Sequence, residues 1–169
     1  MTLIELINQI NTKHTLKIIG CQQAVNHGSC NWDCCFYSNS YCLMLPGEFE
    51  AAISLGYRVD GYEIIDDNYF GGKKVVPASK KCCVGPEMPE NHYKTLDCWF
   101  YPVWPIVKDE AIRMIVGDLC PLRSASLDTV KAHARTIEKY VKILALMPEV
   151  RTFLSKAEMI GYNDLEYKL

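Results

Sequence analysis

Cysteine is the residue type in this sequence with the greatest capacity for chemistry. The 169 residues include nine cysteines, which are Cys21, Cys30, Cys34, Cys35, Cys42, Cys82, Cys83, Cys98 and Cys120. Cysteine-rich chains are most often secreted disulfide scaffolds or metal-binding proteins of reducing compartments. The two classes differ in their N-terminal segments and in the spacing of their cysteines. The sequence contains information on both features.

The N-terminal segment argues against secretion. A secretory signal has a basic start, an apolar run of about 7–15 residues and small residues at its cleavage point. Residues 1–11 instead place Glu5, Asn8 and Gln9 between apolar positions, as an amphipathic helix does. No window approaches the roughly 18 consecutive apolar residues of a membrane span. We therefore expect a cytoplasmic protein with reduced thiols and no membrane partner.

The number and spacing of the cysteines favour a metal centre over disulfides. An odd number of cysteines leaves one thiol over if the others are all paired. Two pairs are sequence neighbours, Cys34 with Cys35 and Cys82 with Cys83. Neighbouring Cα atoms lie only about 3.8 Å apart, whereas disulfides usually join Cα atoms about 4.4–6.8 Å apart. Structural disulfides and unrelated thiols remain the alternatives to a metal.

Four segments that contain cysteine, proline or glutamate form an ordered set along the chain. They are Cys30-Asn-Trp-Asp-Cys34-Cys35, Leu43-Met-Leu-Pro46-Gly-Glu48, Leu96-Asp-Cys98-Trp-Phe-Tyr101-Pro102 and Leu119-Cys120-Pro121-Leu122. This set resembles a zinc- or iron-chelating cysteine-cluster domain family, and it is distantly similar to the flagellin lysine N-methylases. Two positions depart from the family pattern, since Trp99 stands where arginine is common and Thr95 stands where proline is usual.

The resemblance implies a set of metal ligands. By position, the family cysteines correspond to Cys30, Cys34, Cys35, Cys98 and Cys120, and Cys82 or Cys83 fills the middle position. The candidate ligands are therefore Cys30, Cys34, Cys35, Cys83, Cys98 and Cys120. Cys21 and Cys42 match least well. We expect these two, and one member of the Cys82–Cys83 pair, to pack as small apolar residues or to line the site.

The spacing of the cysteines also bears on the kind of metal. Structural zinc sites usually contain two C-x2-C knuckles, and that spacing does not occur in this sequence. Ligands drawn from separate loops suit an iron-sulfur cluster, which is reached from several sides. We therefore expect a [4Fe-4S] cluster, with zinc held by the same residues as the alternative.

No other constellation of residues predicts a catalytic site. The four histidines are dispersed, and only His27, three residues before Cys30, is a minor candidate ligand. Asp33 and Asp97 each precede a cysteine, and we interpret them as caps or turn formers. Glu48 follows Pro46 at the start of a predicted helix, where a carboxylate complements the helix dipole.

Several local signals predict the elements that position the cysteines. Thr2 and Glu5 form a capping box at the start of a first helix. Strands are predicted at residues 62–65, 74–76 and 112–116, with turns at 66–68 and 71–72. Apolar residues step by three and four from Ser126 to Met147, and Pro148 opens another short helix that ends near Met159.

These elements predict an α+β fold: a single compact domain over residues 1–169, with cysteine-bearing loops, a small antiparallel sheet and a C-terminal helical pair. The helical part forms a subdomain from about residue 124 to residue 169. With 49% hydrophobic residues, 22% charged residues and a net charge of −2, the chain is globular and has no basic surface for nucleic acid.

The function we expect is that of a metal-binding protein with a redox or sensing role. Two alternatives stay open at this point. One is a structural zinc module that supports a protein interaction, and the other is a modification enzyme related to the lysine N-methylases. The sequence identifies no substrate, reaction, protein partner or oligomeric state.

Overall fold

The structure, a computed structural model, describes residues 1–13, 41–78 and 91–168. Six of the nine cysteines lie outside these ranges, namely Cys21, Cys30, Cys34, Cys35, Cys82 and Cys83. The helices are α1 (Leu3–Lys13), α2 (Glu48–Ser54), α3 (Leu96–Phe100), α4 (Leu122–Ala125), α5 (Leu127–Leu144) and α6 (Pro148–Lys156). The strands are β1 (Cys42–Met44), β2 (Tyr62–Tyr69), β3 (Gly72–Pro77), β4 (Val103–Lys108), β5 (Ala111–Gly117) and β6 (Tyr162–Lys168). The predicted α+β class is confirmed.

The described residues belong to two compact units. The first contains residues 1–13, 41–78 and 91–99, and the second contains residues 100–168. Each unit has a three-stranded antiparallel sheet, with strand order β1-β3-β2 in the first and β4-β5-β6 in the second. The strands that we expected in one sheet are therefore divided between two.

Helix α1 begins with the predicted capping box. The backbone N–H of Thr2 donates to the Glu5 carboxylate at 2.8 Å, and the N–H of Glu5 donates to the Thr2 hydroxyl at 3.2 Å. These bonds satisfy two N–H groups that a helix start would otherwise leave without an intrahelical partner. The helix buries Leu6, Ile7 and Ile10 completely and packs against α2.

The hairpin formed by β2 and β3 turns within one residue of the predicted turn at 71–72, and not at the other predicted turn, residues 66–68. Residues 66–68 lie inside β2, where the pairing register shifts between Ile64 and Tyr69. Asp66 accepts the N–H of Asn68 at 3.0 Å, so its side chain forms a local turn-like bond within a strand. The reversal itself uses Phe70 and Gly71, both with positive φ angles, which is the geometry of a two-residue hairpin turn.

Gly61, directly before β2, leaves room for the ring of His92. A Cβ atom added at Gly61 would lie 2.1 Å from Cε1 of His92. The ring is buried and stacks on Tyr62 with 5.4 Å between the ring centroids. Backbone bonds from Arg58 to Asn91 and from Tyr93 to Arg58 hold the segment that carries His92. The ring therefore has little freedom to move away from a larger side chain at position 61.

We expect Gly61→Ala to lower the free energy of unfolding by about 1–3 kcal/mol, the usual cost of overpacking. Urea denaturation measures the effect. In a His92→Ala background the same substitution should cost much less, because the clashing ring is gone. An equal cost in both backgrounds would show that the backbone at position 61, and not the ring, requires glycine.

In the second unit, α5 and α6 pack beside the sheet of β4, β5 and β6. The predicted apolar face of α5 is confirmed from Val130 onward, whereas Leu127 at its start is exposed. The buried side chains of the helix are Val130, His133, Ala134, Ile137, Tyr140, Val141 and Leu144. Helix α6 begins at Pro148 as predicted and ends at Lys156, and Gly161 has a positive φ just before β6. None of the helices in the described part of the chain combines the length and apolar character that crossing a membrane requires.

Candidate metal centre

Two cysteines far apart in the sequence meet in the first unit. Cys42 is the first residue of β1, and Cys98 lies in α3. Their Sγ atoms are 3.6 Å apart, although 56 positions separate the two residues. Both side chains are partly exposed. We call these two residues the Cys42–Cys98 pair.

The residues next to each cysteine hold β1 and α3 together. The carboxylate of Asp97 accepts the backbone N–H of Leu43 at 2.8 Å. The hydroxyl of Thr95 accepts the N–H of Cys98 at 3.2 Å, and its carbonyl accepts the N–H of Trp99 at 3.0 Å. Thr95 is therefore the N-cap of α3. The backbone on both sides of the pair is fixed by hydrogen bonds that do not involve the sulfur atoms.

Glu48 adds a second link between the same segments. Its side chain is fully buried at the start of α2. One carboxylate oxygen accepts the N–H of Leu45 at 2.8 Å. The other accepts the N–H of Leu96 at 2.8 Å and the hydroxyl of Tyr93 at 2.9 Å. The predicted helix-start carboxylate thus also binds the segment that leads into α3.

The region around the pair disfavours negative charge. Burial raises the pKa of Glu48 from 4.5 to about 7, against the opposing effect of its three hydrogen-bond donors. Burial also raises the pKa of Asp97 and that of Tyr93 well above their ordinary values. Repulsion from a negative charge on Cys98 contributes to all three shifts. Protonation or a bound cation would relieve this repulsion.

The two departures from the family pattern have structural roles. Thr95, in place of proline, is buried and caps α3 through its hydroxyl. Trp99, in place of arginine, is buried and donates its indole N–H to the side chain of Asn11 on α1 at 3.0 Å. The ammonium group of Lys94 lies 4.3 Å from the centroid of the Trp99 ring. Trp99 therefore anchors α3 to α1.

The structure locates two of the six predicted ligands. Cys98 lies in the first unit, and Cys120 is buried in the second unit between β5 and α4. The predictions for Cys30, Cys34, Cys35 and Cys83 fall outside the described residues.

Cys42, which we expected to pack as a small apolar residue or to line the site, is the cysteine whose sulfur lies beside that of Cys98. Cys42 directly precedes the apolar residues Leu43 and Met44. This local pattern is typical of a buried strand and does not indicate a ligand.

The Cys42–Cys98 pair fits two ligands of a single metal ion. Thiolates bound to one tetrahedral ion at about 2.3 Å lie roughly 3.8 Å apart, close to the 3.6 Å observed between the sulfurs. A disulfide bond would bring the sulfurs to about 2.05 Å. Within residues 1–13, 41–78 and 91–168, no group of three or more His, Cys, Asp and Glu residues could hold a metal ion. At the Cys42–Cys98 pair, the described residues thus offer two thiolates and no third neighbouring ligand.

Comparisons of the chain with protein-family models, with curated proteins and with solved structures find no match. The relation to the cysteine-cluster family stays a prediction that rests on the four sequence segments.

Proposed function

We propose that this protein binds a metal through cysteine thiolates, and that Cys42 and Cys98 are two of its ligands. The supporting observation is the 3.6 Å separation of their sulfur atoms across 56 positions of sequence. Hydrogen bonds from Leu43 to Asp97 and from Cys98 to Thr95 place the two thiols side by side. Metal ligands are commonly held in this way by neighbouring hydrogen bonds.

The separation of the sulfurs favours a site in which both thiolates bind the same ion. Four cysteines on a [4Fe-4S] cluster each bind a different iron, so two such ligands lie farther apart than two ligands of one ion. Zinc accepts a tetrahedral set of thiolates, and it is the first metal that we propose. Bound zinc would supply a redox-inactive cross-link between β1 and α3.

An iron-sulfur cluster is the second candidate. It is favoured by the lack of C-x2-C knuckles in the sequence. When bound, a cluster would supply one-electron redox chemistry, in line with the expected redox or sensing role. In either case the sequence predicts the remaining ligands among Cys30, Cys34, Cys35, Cys83 and Cys120. A reducing cytoplasmic location, which keeps thiols available for metal, is part of the proposal.

Anaerobic purification followed by metal and sulfide analysis tests the proposal. A zinc site predicts about one zinc per chain and no visible colour. A cluster predicts about four irons and four sulfides per chain with a broad absorption band. If the purified protein holds neither metal and takes up neither after reconstitution under reducing conditions, the proposed function is wrong.

A further inference from the structure

We infer that the Cys42–Cys98 pair is a site of reversible oxidation, at which hydroperoxides join the two thiols in a disulfide. The modification itself needs no metal. Its regulatory consequence rests on the proposed function, because a disulfide removes both thiolates from a metal. Oxidation of the pair and metal binding to the pair would then exclude one another.

The geometry of the pair permits the bond. The sulfurs must approach by about 1.5 Å, from the observed 3.6 Å to a bonded distance of about 2.05 Å. Both side chains are partly exposed, so a small oxidant can reach them, whereas Cys120 is 6% exposed. Reactivity toward oxidants rises with the exposure of a cysteine.

The surrounding hydrogen bonds hold the two thiols side by side. When one thiol is oxidised, the other is therefore close enough to react with it. The backbone beside Cys42 is bound through Leu43 to Asp97, and the backbone of Cys98 is bound to Thr95. None of these bonds uses a sulfur atom, so they can persist in the oxidised protein. We therefore expect the disulfide to form without unfolding of the first unit.

The reaction proceeds in two balanced steps. A thiolate sulfur of the pair attacks the terminal oxygen of the hydroperoxide, the O–O bond breaks, and the protein gains a sulfenic acid while water or an alcohol leaves. The other thiol then attacks the sulfenic sulfur, the S–O bond breaks, and the oxygen leaves as water. In total, two thiols give two electrons and two protons to one hydroperoxide.

Peptide mapping of oxidised, metal-free protein tests the inference. The reduced protein is freed of metal with a chelator, treated with one equivalent of hydrogen peroxide and alkylated with N-ethylmaleimide. Combined digestion with trypsin and chymotrypsin cuts after Tyr41, Lys94 and Trp99, so Cys42 and Cys98 each occur in a peptide that has no other cysteine. We expect mass spectrometry to detect these two peptides linked to each other. Dithiothreitol should separate them.

Three variants test whether the linked peptide depends on both cysteines. Cys42→Ser and Cys98→Ser should each abolish the linked peptide, and Met44→Leu, which alters buried packing in the same strand, should retain it. Recovery of Cys42 and Cys98 in separately alkylated peptides, or linked to other cysteines after the peroxide is consumed, would overturn the inference. Because the protein is metal-free throughout, that outcome is separate from a failure of the proposed metal centre.

Discussion

We expect the Cys98→Ser substitution to abolish metal binding by the purified protein. Loss of an outer hydrogen-bond partner alone lowers metal affinity by about 10–100-fold, so loss of a ligand should lower it by more than about 100-fold. Because the free energy of metal binding contributes to folding, the melting temperature of the variant should also stop responding to chelators. Elemental analysis and competition with a chromophoric chelator measure the two effects.

Two further variants separate loss of a ligand from disturbed packing. Cys42→Ser should match Cys98→Ser, because the two sulfurs are 3.6 Å apart and would bind one ion. Met44→Leu conserves volume at a fully buried position of β1 and should keep full metal content. If Cys98→Ser retains the metal content of the unmodified protein, Cys98 is not a ligand. If Met44→Leu loses metal as well, the effect comes from packing.

At about pH 5, where the raised pKa of Glu48 keeps the side chain protonated and the substitution removes no charge, we expect Glu48→Gln to lower the free energy of unfolding by about 1–3 kcal/mol, the cost of a buried donor left without an acceptor. A protonated carboxyl can still accept hydrogen bonds at both oxygens. All three groups that contact the side chain are donors: the N–H of Leu45, the N–H of Leu96 and the hydroxyl of Tyr93. A glutamine has one acceptor oxygen and one NH2 group. In either orientation of the amide, its NH2 group faces at least one of these donors.

The neighbouring Glu50→Gln substitution is a matched control for this effect. Glu50 lies in the same first turn of α2, but its side chain is 64% exposed and pairs with Lys73 at 3.4 Å. Exposed ion pairs contribute little to stability, so the control should change it by less than about 1 kcal/mol. Urea denaturation of both variants measures the difference. Equal losses would show that the buried bonds of Glu48 do not stabilise the fold.

The raised pKa of Glu48 predicts that the metal-free protein loses stability as the pH rises from about 4.5 toward and through 7. In this range the unfolded chain releases the proton of Glu48 while the folded protein keeps it, so rising pH favours unfolding. A shift from 4.5 to about 7 corresponds to roughly 3 kcal/mol. The raised pKa of Asp97 acts in the same direction.

The difference between the unmodified protein and Glu48→Gln isolates this contribution. The variant has no titrating group at position 48, so its unfolding free energy should fall less steeply between pH 4.5 and 8. Denaturation at several pH values compares the two slopes. Equal slopes would mean that Glu48 has the same pKa in the folded and unfolded chains.

The best sequence predictions concern interactions between residues close in the chain. Thr2 and Glu5 form the capping box that their spacing indicates, and the apolar face of α5 is buried as predicted from Val130 onward. Both signals depend on groups three or four positions apart, which a helix brings together by itself. The prediction of a turn at residues 66–68 was wrong. These polar residues belong to β2, which pairs with β3 in an irregular register.

Strand β6 shows why some elements have no local signal. The segment from Tyr162 to Lys168 is rich in polar side chains, and Leu165 is its one buried apolar residue among those described. It forms a strand because it pairs with the edge of β5. A pairing of this kind depends on a partner about 50 positions away, and β propensity is weak enough for such a context to decide.

By itself, the sequence determined that this protein is rich in cysteine, that α1 starts at the Thr2–Glu5 capping box, and that Cys98 is a candidate ligand. Only the tertiary structure decided that Cys42 lies beside Cys98. It also decided that Glu48 and Asp97, which look like ordinary helix and turn carboxylates, bind across to Leu96 and Leu43. The physical reason is that caps and turns are local, whereas the meeting of β1 with α3 depends on how the chain between them packs.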